Sequence, residues 1–197
     1  MNIFKAIKQE KKANKHFYII MISLAIILPL AIYLTALTSW FYLTYLFIME
    51  FLIMIAIIRK INISKLSFNC SNNKLKFSLG LSSRQNLVIC DKIVLVHTNK
   101  MEEDMEIILI SSVKTKSKYL KPVLKSFCKK YPLLVDELKN IKRNSNNQNQ
   151  MYYNQVIKRG GLNKYMLLDT IYKNCVKAIY TEECIQNIKI ARGQTLM

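Results

Sequence analysis

Residues 17 to 58 form an almost unbroken apolar stretch, and that stretch constrains every other reading of the chain. From Phe17 to Leu37 there are 21 residues without a charge. At ~1.5 Å per residue in a helix, that is enough to cross a ~30 Å hydrocarbon core. From Phe41 to Ile58 there are 18 more, interrupted only by Glu50. The run is about twice as long as one bilayer requires, so it predicts a hairpin of two spans turning near Thr38, Ser39 and Trp40. Trp40, Phe41 and Tyr42 suit the far interface, where aromatic rings sit at headgroup level.

Orientation follows from the cations at the span ends. Lys5, Lys8, Lys11, Lys12 and Lys15 precede the first span, Arg59, Lys60 and Lys65 follow the second, and the turn has none. Cytoplasmic flanks carry the excess of Lys and Arg, so the expected location is the cell membrane, multi-pass, with both termini cytoplasmic. A cleaved signal peptide is disfavoured, because the first apolar region exceeds the usual 7–15 residues and no A-x-A-like site follows it. Glu50 lies near the middle of the second span, where an ionised carboxylate is costly. Pro29 on the first span leaves the carbonyl of Ala25 without its helical donor. A protonated Glu50 donating to that carbonyl or to Ser23 would act as an intramembrane helix contact. A proton pathway would need further polar residues that the hairpin lacks.

Beyond the hairpin the pattern changes. Leu75, Phe77 and Leu79 alternate with Lys74, Lys76 and Ser78, the period of a half-buried strand, and Asn69 to Asn73 is expected as the turn before it. Apolar runs follow at residues 87–89, 93–96 and 107–110, separated by Asp91-Lys92 and by the polar stretch His97 to Asp104. Such short sequential strands predict an antiparallel sheet. After Lys118 a helix is expected, with Pro122 in its first turn, broken at Tyr131-Pro132 and continued by Leu133, Leu134, Leu138 and Ile141.

The predicted fold is therefore a two-helix transmembrane hairpin, a small α+β cytoplasmic domain of antiparallel sheet plus helix, and a helical C-terminal tail. The boundaries are a basic N-terminus at 1–16, the hairpin at 17–58, the sheet-plus-helix domain at 59–143, a polar linker at 144–150 and the tail at 151–197. Within the tail, Leu168, Ile171, Tyr172, Cys175 and Ile179 make an apolar stripe, Thr181 suits an N-cap, Gly193 suits a helix end, and Gly160-Gly161 reads as a helix stop. So short a tail cannot hold a core alone and should dock on the sheet domain, a second copy or a partner.

Two N-terminal spans, then the stretch LVICDKIVLVHTNKMEEDMEIILIS from Leu87 to Ser111, then a closing helix, resemble bacterial membrane-tethered proteins with a pleckstrin-homology-like domain. The resemblance implies a bent antiparallel sheet plugged by a C-terminal helix, and binding or scaffolding rather than catalysis.

No catalytic constellation emerges. There are four glycines and no phosphate-cradling loop, and neither G-x-S-x-G nor H-E-x-x-H occurs. Glu102, Glu103, Asp104 and Glu106 are expected on a solvated turn. The five cysteines form no C-x-x-C pair, and both histidines are isolated, so no metal, no cofactor and free thiols are expected. Cys128, beside Lys125, Lys129 and Lys130, fits a half-buried helix cysteine better than a nucleophile.

The net charge of +18 favours anionic partners, although Lys outnumbers Arg 25 to 5 in a composition rich in Asn and Ile. Lys114, Lys116, Lys118, Lys121, Lys125, Lys129 and Lys130 fall within seventeen residues that contain no acid. They read either as a solvated face or as an anionic-surface contact at ~1 kcal/mol per Lys close to a leaflet. Three functions rank in order. The first is a non-enzymatic, membrane-anchored cytoplasmic module that scaffolds or regulates a membrane protein assembly, with the bilayer and either a membrane-protein partner or a second copy as partners. The second is a sensor of anionic lipid headgroups, and the third a membrane-tethered nucleic-acid binder, which lacks any aromatic stacking platform.

Overall fold

The structure is a computed structural model, and it describes residues 2–35, 39–81, 85–100, 105–115, 117, 120–144 and 151–195. Two long helices come first. Helix α1 (Ile3–Leu34) is capped by Asn2, whose side chain accepts from the amide of Phe4 at 3.1 Å, and it carries Pro29 inside it. Helix α2 (Trp40–Ser64) follows. Both are long and apolar enough to cross a membrane. Their apolar side chains point outward rather than into a protein core: Ile26 is 62% exposed and Phe47 74%.

Both helices are longer than a hydrocarbon core is thick. At 1.5 Å per residue α1 is ~48 Å long, against ~30 Å of hydrocarbon. The excess is the basic segment of residues 3–16, which is helical and continuous with the span. Lys60 Nζ stands 5.8 Å from the centre of the Phe17 ring, so residues 17 and 60 lie at one level.

Strands β1 (Leu66–Ser71), β2 (Lys74–Leu79) and β3 (Asn86–Ile89) make a three-stranded antiparallel sheet in that order. The β1–β2 turn is Asn72-Asn73, with φ of 49° and 58°. Two consecutive positive φ values are the type I′ hairpin geometry, which Asn tolerates better than most residues. Asn69 to Ser71, expected in the turn, pair with Lys76 to Lys74 as part of β1.

A 3-10 turn (Cys90–Lys92) leads to β4 (Ile93–Lys100) and β5 (Met105–Ser111), which pair antiparallel. His97 to Lys100 continue the strand, so the expected polar separator shrinks to residues 101–104, which lie outside the described ones. Glu106, expected on a solvated turn, is 2% exposed on β5. All seven residues of β5 are buried because the strand is covered on both faces. Ile107 and Leu109 enter one core, and Ile108 and Ile110 enter the other. That double burial explains an unbroken apolar run where a half-exposed strand would alternate.

Next come β6 (Lys121–Pro122), α3 (Lys125–Lys130) and α4 (Pro132–Asn144). Pro122 sits on an edge strand, where its missing N–H costs nothing, and not in the first turn of a helix. Pro132 does open a helix, as proline at a first helical position can.

The segment after the linker differs most from expectation. Residues 145–150 lie outside the described ones, but Tyr153–Ile157 is a strand, β7, lying between β5 and β6. A purely helical tail is therefore not what forms. Helix α5 (Asn163–Asn174), strand β8 (Ile179–Tyr180) and helix α6 (Glu182–Ala191) complete the chain, with β8 parallel to β4. The second sheet runs β6-β7-β5-β4-β8. Gly160-Gly161 precede α5 rather than ending a helix, while Gly193 (φ 71°) follows α6 as expected.

One core packs α5, α6 and the small sheet on one face of the large sheet, through Phe77, Leu168, Ile171 and Ile188 among others. The other places α3 and α4 on the opposite face, through Tyr131, Leu134 and Leu138. Strands and helices from both sides of the 145–150 segment share these cores, so the folded body runs from Leu66 to the end of α6 rather than stopping at residue 143.

Candidate functional site

The feature around which residues of distant sequence position converge is the junction between the two long helices and the folded body. Ile3, Ala6 and Ile7 on the first turns of α1 are buried, and Ile3 and Ile7 belong to the same core as Leu75 and Ile188. The loop between β7 and α5 then touches both helices. Gly160 donates its amide to the carbonyl of Ile63 on α2 at 2.9 Å, and Leu162 donates its amide to Glu10 Oε2 on α1 at 3.0 Å. This loop needs its glycines. Gly160 has a φ of 123°, and a Cβ there would lie 2.7 Å from Leu66 Cδ2. At Gly161, with a φ of 51°, a Cβ would collide with the Glu10 carboxylate.

Beside the loop lies a buried polar cluster. Lys164 is fully buried, and its ammonium donates to the carbonyls of Met105 and Lys158, the latter at 2.8 Å. Glu106 accepts from the Tyr131 hydroxyl at 2.8 Å and pairs with Lys158 at 3.0 Å. Burial raises the Glu106 pKa. Hydrogen bonds from Lys158 and Tyr131, with the charges of Lys158 and Lys130, outweigh that and bring it below the usual carboxylate value. Burial, and donation to that carboxylate, push the Tyr131 hydroxyl upward. These groups tie β5 to α5 and to the residues that directly follow α3 and β7.

His97 on β4 makes a second polar contact across elements. Its Nδ1 is 3.0 Å from Thr181 Oγ1, and its Nε2 is 3.8 Å from Glu183. Thr181 occupies the N-cap position of α6 but spends its hydroxyl on His97, making no side-chain cap bond. Burial lowers the His97 pKa, and the Glu183 charge opposes that only in part. The thiols of Cys70 and Cys90 lie 3.9 Å apart, and all five cysteines are free. Among the described residues no group of three His, Cys, Asp or Glu side chains could hold a metal ion.

The described lysines between Lys114 and Lys130 lie on different elements. Lys114 is exposed after β5, Lys121 is exposed on β6, and Lys129 and Lys130 are exposed at the end of α3. Lys116 and Lys118 lie outside the described residues, and Lys125 opens α3. Lys121 pairs with Asn154, at the opposite end of β7 from the Gly160 loop, so it sits away from the two helices. The Lys130 ammonium is 5.2 Å from the Tyr131 ring centre and near enough for its charge to act on Glu106. For Glu50, the Oε1 atom is buried without a hydrogen-bond partner.

The α1 lysines, read above only for orientation, turn out to be a built surface. Lys5, Lys8, Lys12 and Lys15 recur at i, i+3, i+7 and i+10, one helical stripe, and all are exposed while Ile3, Ala6 and Ile7 are buried on the other side. That spacing was available in the sequence. No sequence signal marks Glu10 as the acceptor for residue 162. No family model matches the chain, and neither a curated protein nor a solved structure matches it.

Proposed function

We propose that this chain is a non-enzymatic, membrane-anchored module that scaffolds or regulates a membrane protein assembly, with both termini cytoplasmic. The observation that carries the reading is the shared core of Ile3 and Ile7 with the body that follows α2. A hairpin whose two outer flanks pack into one core must have both flanks on the same side of any membrane it crosses. The lysines and arginines on those flanks support the cytoplasm as that side. The outward-facing apolar side chains of α1 and α2 call for lipid around them.

The same contacts favour a scaffold. A body sharing its core with α1 and hydrogen-bonded to both helices is held in one orientation at the bilayer, as a docking platform requires. Glu106, Tyr131, Lys158 and His97, the groups suited to acid–base work, are engaged in bonds between elements. The likeness to membrane-tethered pleckstrin-homology-like proteins belongs to this proposal and rests on the order of elements in the sequence: two spans, short strands and a closing helix.

Reporter fusions at residues 12 and 197 test the topology. Both should report cytoplasm, and an exported signal from either one overturns it. Crosslinking in intact cells followed by purification from membranes tests the scaffold. A specific membrane-protein adduct is expected, and recovery of the uncrosslinked chain alone counts against it. The rival reading, contact with anionic lipid, is favoured by one observation, the exposed lysine stripe of α1.

A further inference from the structure

An open groove of about 600 Å³ lies against α1, and the described residues that line it are Gln9, Lys12, Ala13, Lys15, His16 and Ile19. Its polar side chains, Gln9, Lys12, Lys15 and His16, all precede Phe17, while Ala13 and Ile19 give it apolar surface on either side of that residue. We propose that this groove is a binding site for the headgroup of an anionic phospholipid. Lys12 and Lys15 contact the phosphate, Gln9 and His16 offer hydrogen bonds to headgroup oxygens, and Ile19 lies against the first acyl carbons. The inference rests on the hairpin spanning a bilayer and is independent of the scaffold role.

Three observations support it. First, position: along the helix Lys15 stands ~3 Å and Lys12 ~8 Å from Phe17, within about one Debye length of the leaflet. Second, availability: among the described residues Lys5, Lys8, Lys11, Lys12 and Lys15 make no ion pair, and Glu10, the only acid on this segment, is turned to the amide of Leu162. Third, preorganisation: α1 cannot roll to present another face, because Ile3 and Ile7 are fixed in the core. Basic pockets beside membrane helices on the cytoplasmic side are a known mode of headgroup binding. Lys114 and Lys121, at the end of the sheet away from α1, cannot contribute to this groove.

The test uses the full chain, purified in mild detergent and supplied with phosphatidylglycerol or phosphatidylcholine, with retained lipid counted by native mass spectrometry. Phosphatidylglycerol should be retained in preference. The double variant Lys12→Gln/Lys15→Gln should lose it roughly tenfold or more, since each lysine near the surface contributes appreciably. Lys12→Arg/Lys15→Arg should restore retention, and Lys114→Gln/Lys121→Gln should leave it unchanged. Free glycerol phosphate in excess should not displace the lipid, because it has no chain to lie along Ile19. Displacement by it would mean a phosphate site rather than a lipid site. Equal retention of the two lipids, or full retention by the double Gln variant, overturns the proposal. Carbonate extraction of membranes separates the premise from the inference. A chain that washes off was never a hairpin, whereas one that stays but shows no lipid preference lacks the site.

Discussion

Glu10 on α1 accepts a hydrogen bond of 3.0 Å from the backbone amide of Leu162, 152 residues later in the chain. Together with the 2.9 Å bond from Gly160 to the carbonyl of Ile63, it fastens one loop to both long helices. Glu10→Ala leaves that amide without its acceptor, at a cost of about 1–2 kcal/mol. Glu10→Gln keeps an acceptor oxygen and should behave nearly as wild type. Hydrogen exchange at the Leu162 amide checks this directly: faster exchange in the Ala variant only is expected, and equal protection in all three would remove Glu10 from the fastening.

Lys164 is a buried cation whose ammonium bonds the carbonyls of Met105 and Lys158. Lys164→Met keeps most of the packing volume but leaves those carbonyls without this donor. A loss of about 2–4 kcal/mol is expected in denaturant unfolding of the solubilised chain. A change below about 0.5 kcal/mol would show that the carbonyls find other donors.

Tyr131 joins the helical layer to the large sheet through its bond to Glu106. Tyr131→Phe retains the ring and removes only the donor to a charged acceptor, so about 1–3 kcal/mol should be lost. The Glu106 pKa should rise toward its ordinary value at the same time, because one of the bonds that lower it is gone. Acid titration of the wild type and the Phe variant reads the two effects together.

His97 gives a pH dependence above the carboxylate range. Burial holds its pKa below the usual value, so the unfolded chain takes up the proton first as pH falls past ~6.5. Stability is full above that pH and declines below it. The groups facing the ring are Thr181 and Glu183, and the Glu183 charge softens the decline. Melting temperature should therefore fall between pH 7.5 and 5.5 in the wild type, fall more steeply in Glu183→Gln, and stay flat in His97→Gln. A flat wild-type profile would contradict the buried neutral histidine.

The sequence by itself determined the elements whose signals are local. Two apolar stretches of bilayer length make two helices, because a peptide in an apolar setting must satisfy its own backbone. The alternation around Leu75 and Phe77, and the apolar run at residues 107–110, mark strands because side-chain period is a property of the chain. Tertiary structure decided what those signals could not reach. Tyr153–Ile157 is a strand because β5 and β6 flank it, and its own residues carry no strong alternation to announce that. Glu106 is buried rather than solvated because Tyr131 and Lys158 arrive to bond it. Lys114, Lys121, Lys129 and Lys130, close in sequence, fall on a loop, an edge strand and a short helix, while the lysines of α1 line up on a helix whose opposite face is held in the core. Pattern along a chain fixes which residues alternate or repeat. Only the fold fixes which of them meet, because hydrogen bonds and burial depend on neighbours that sequence distance does not reveal.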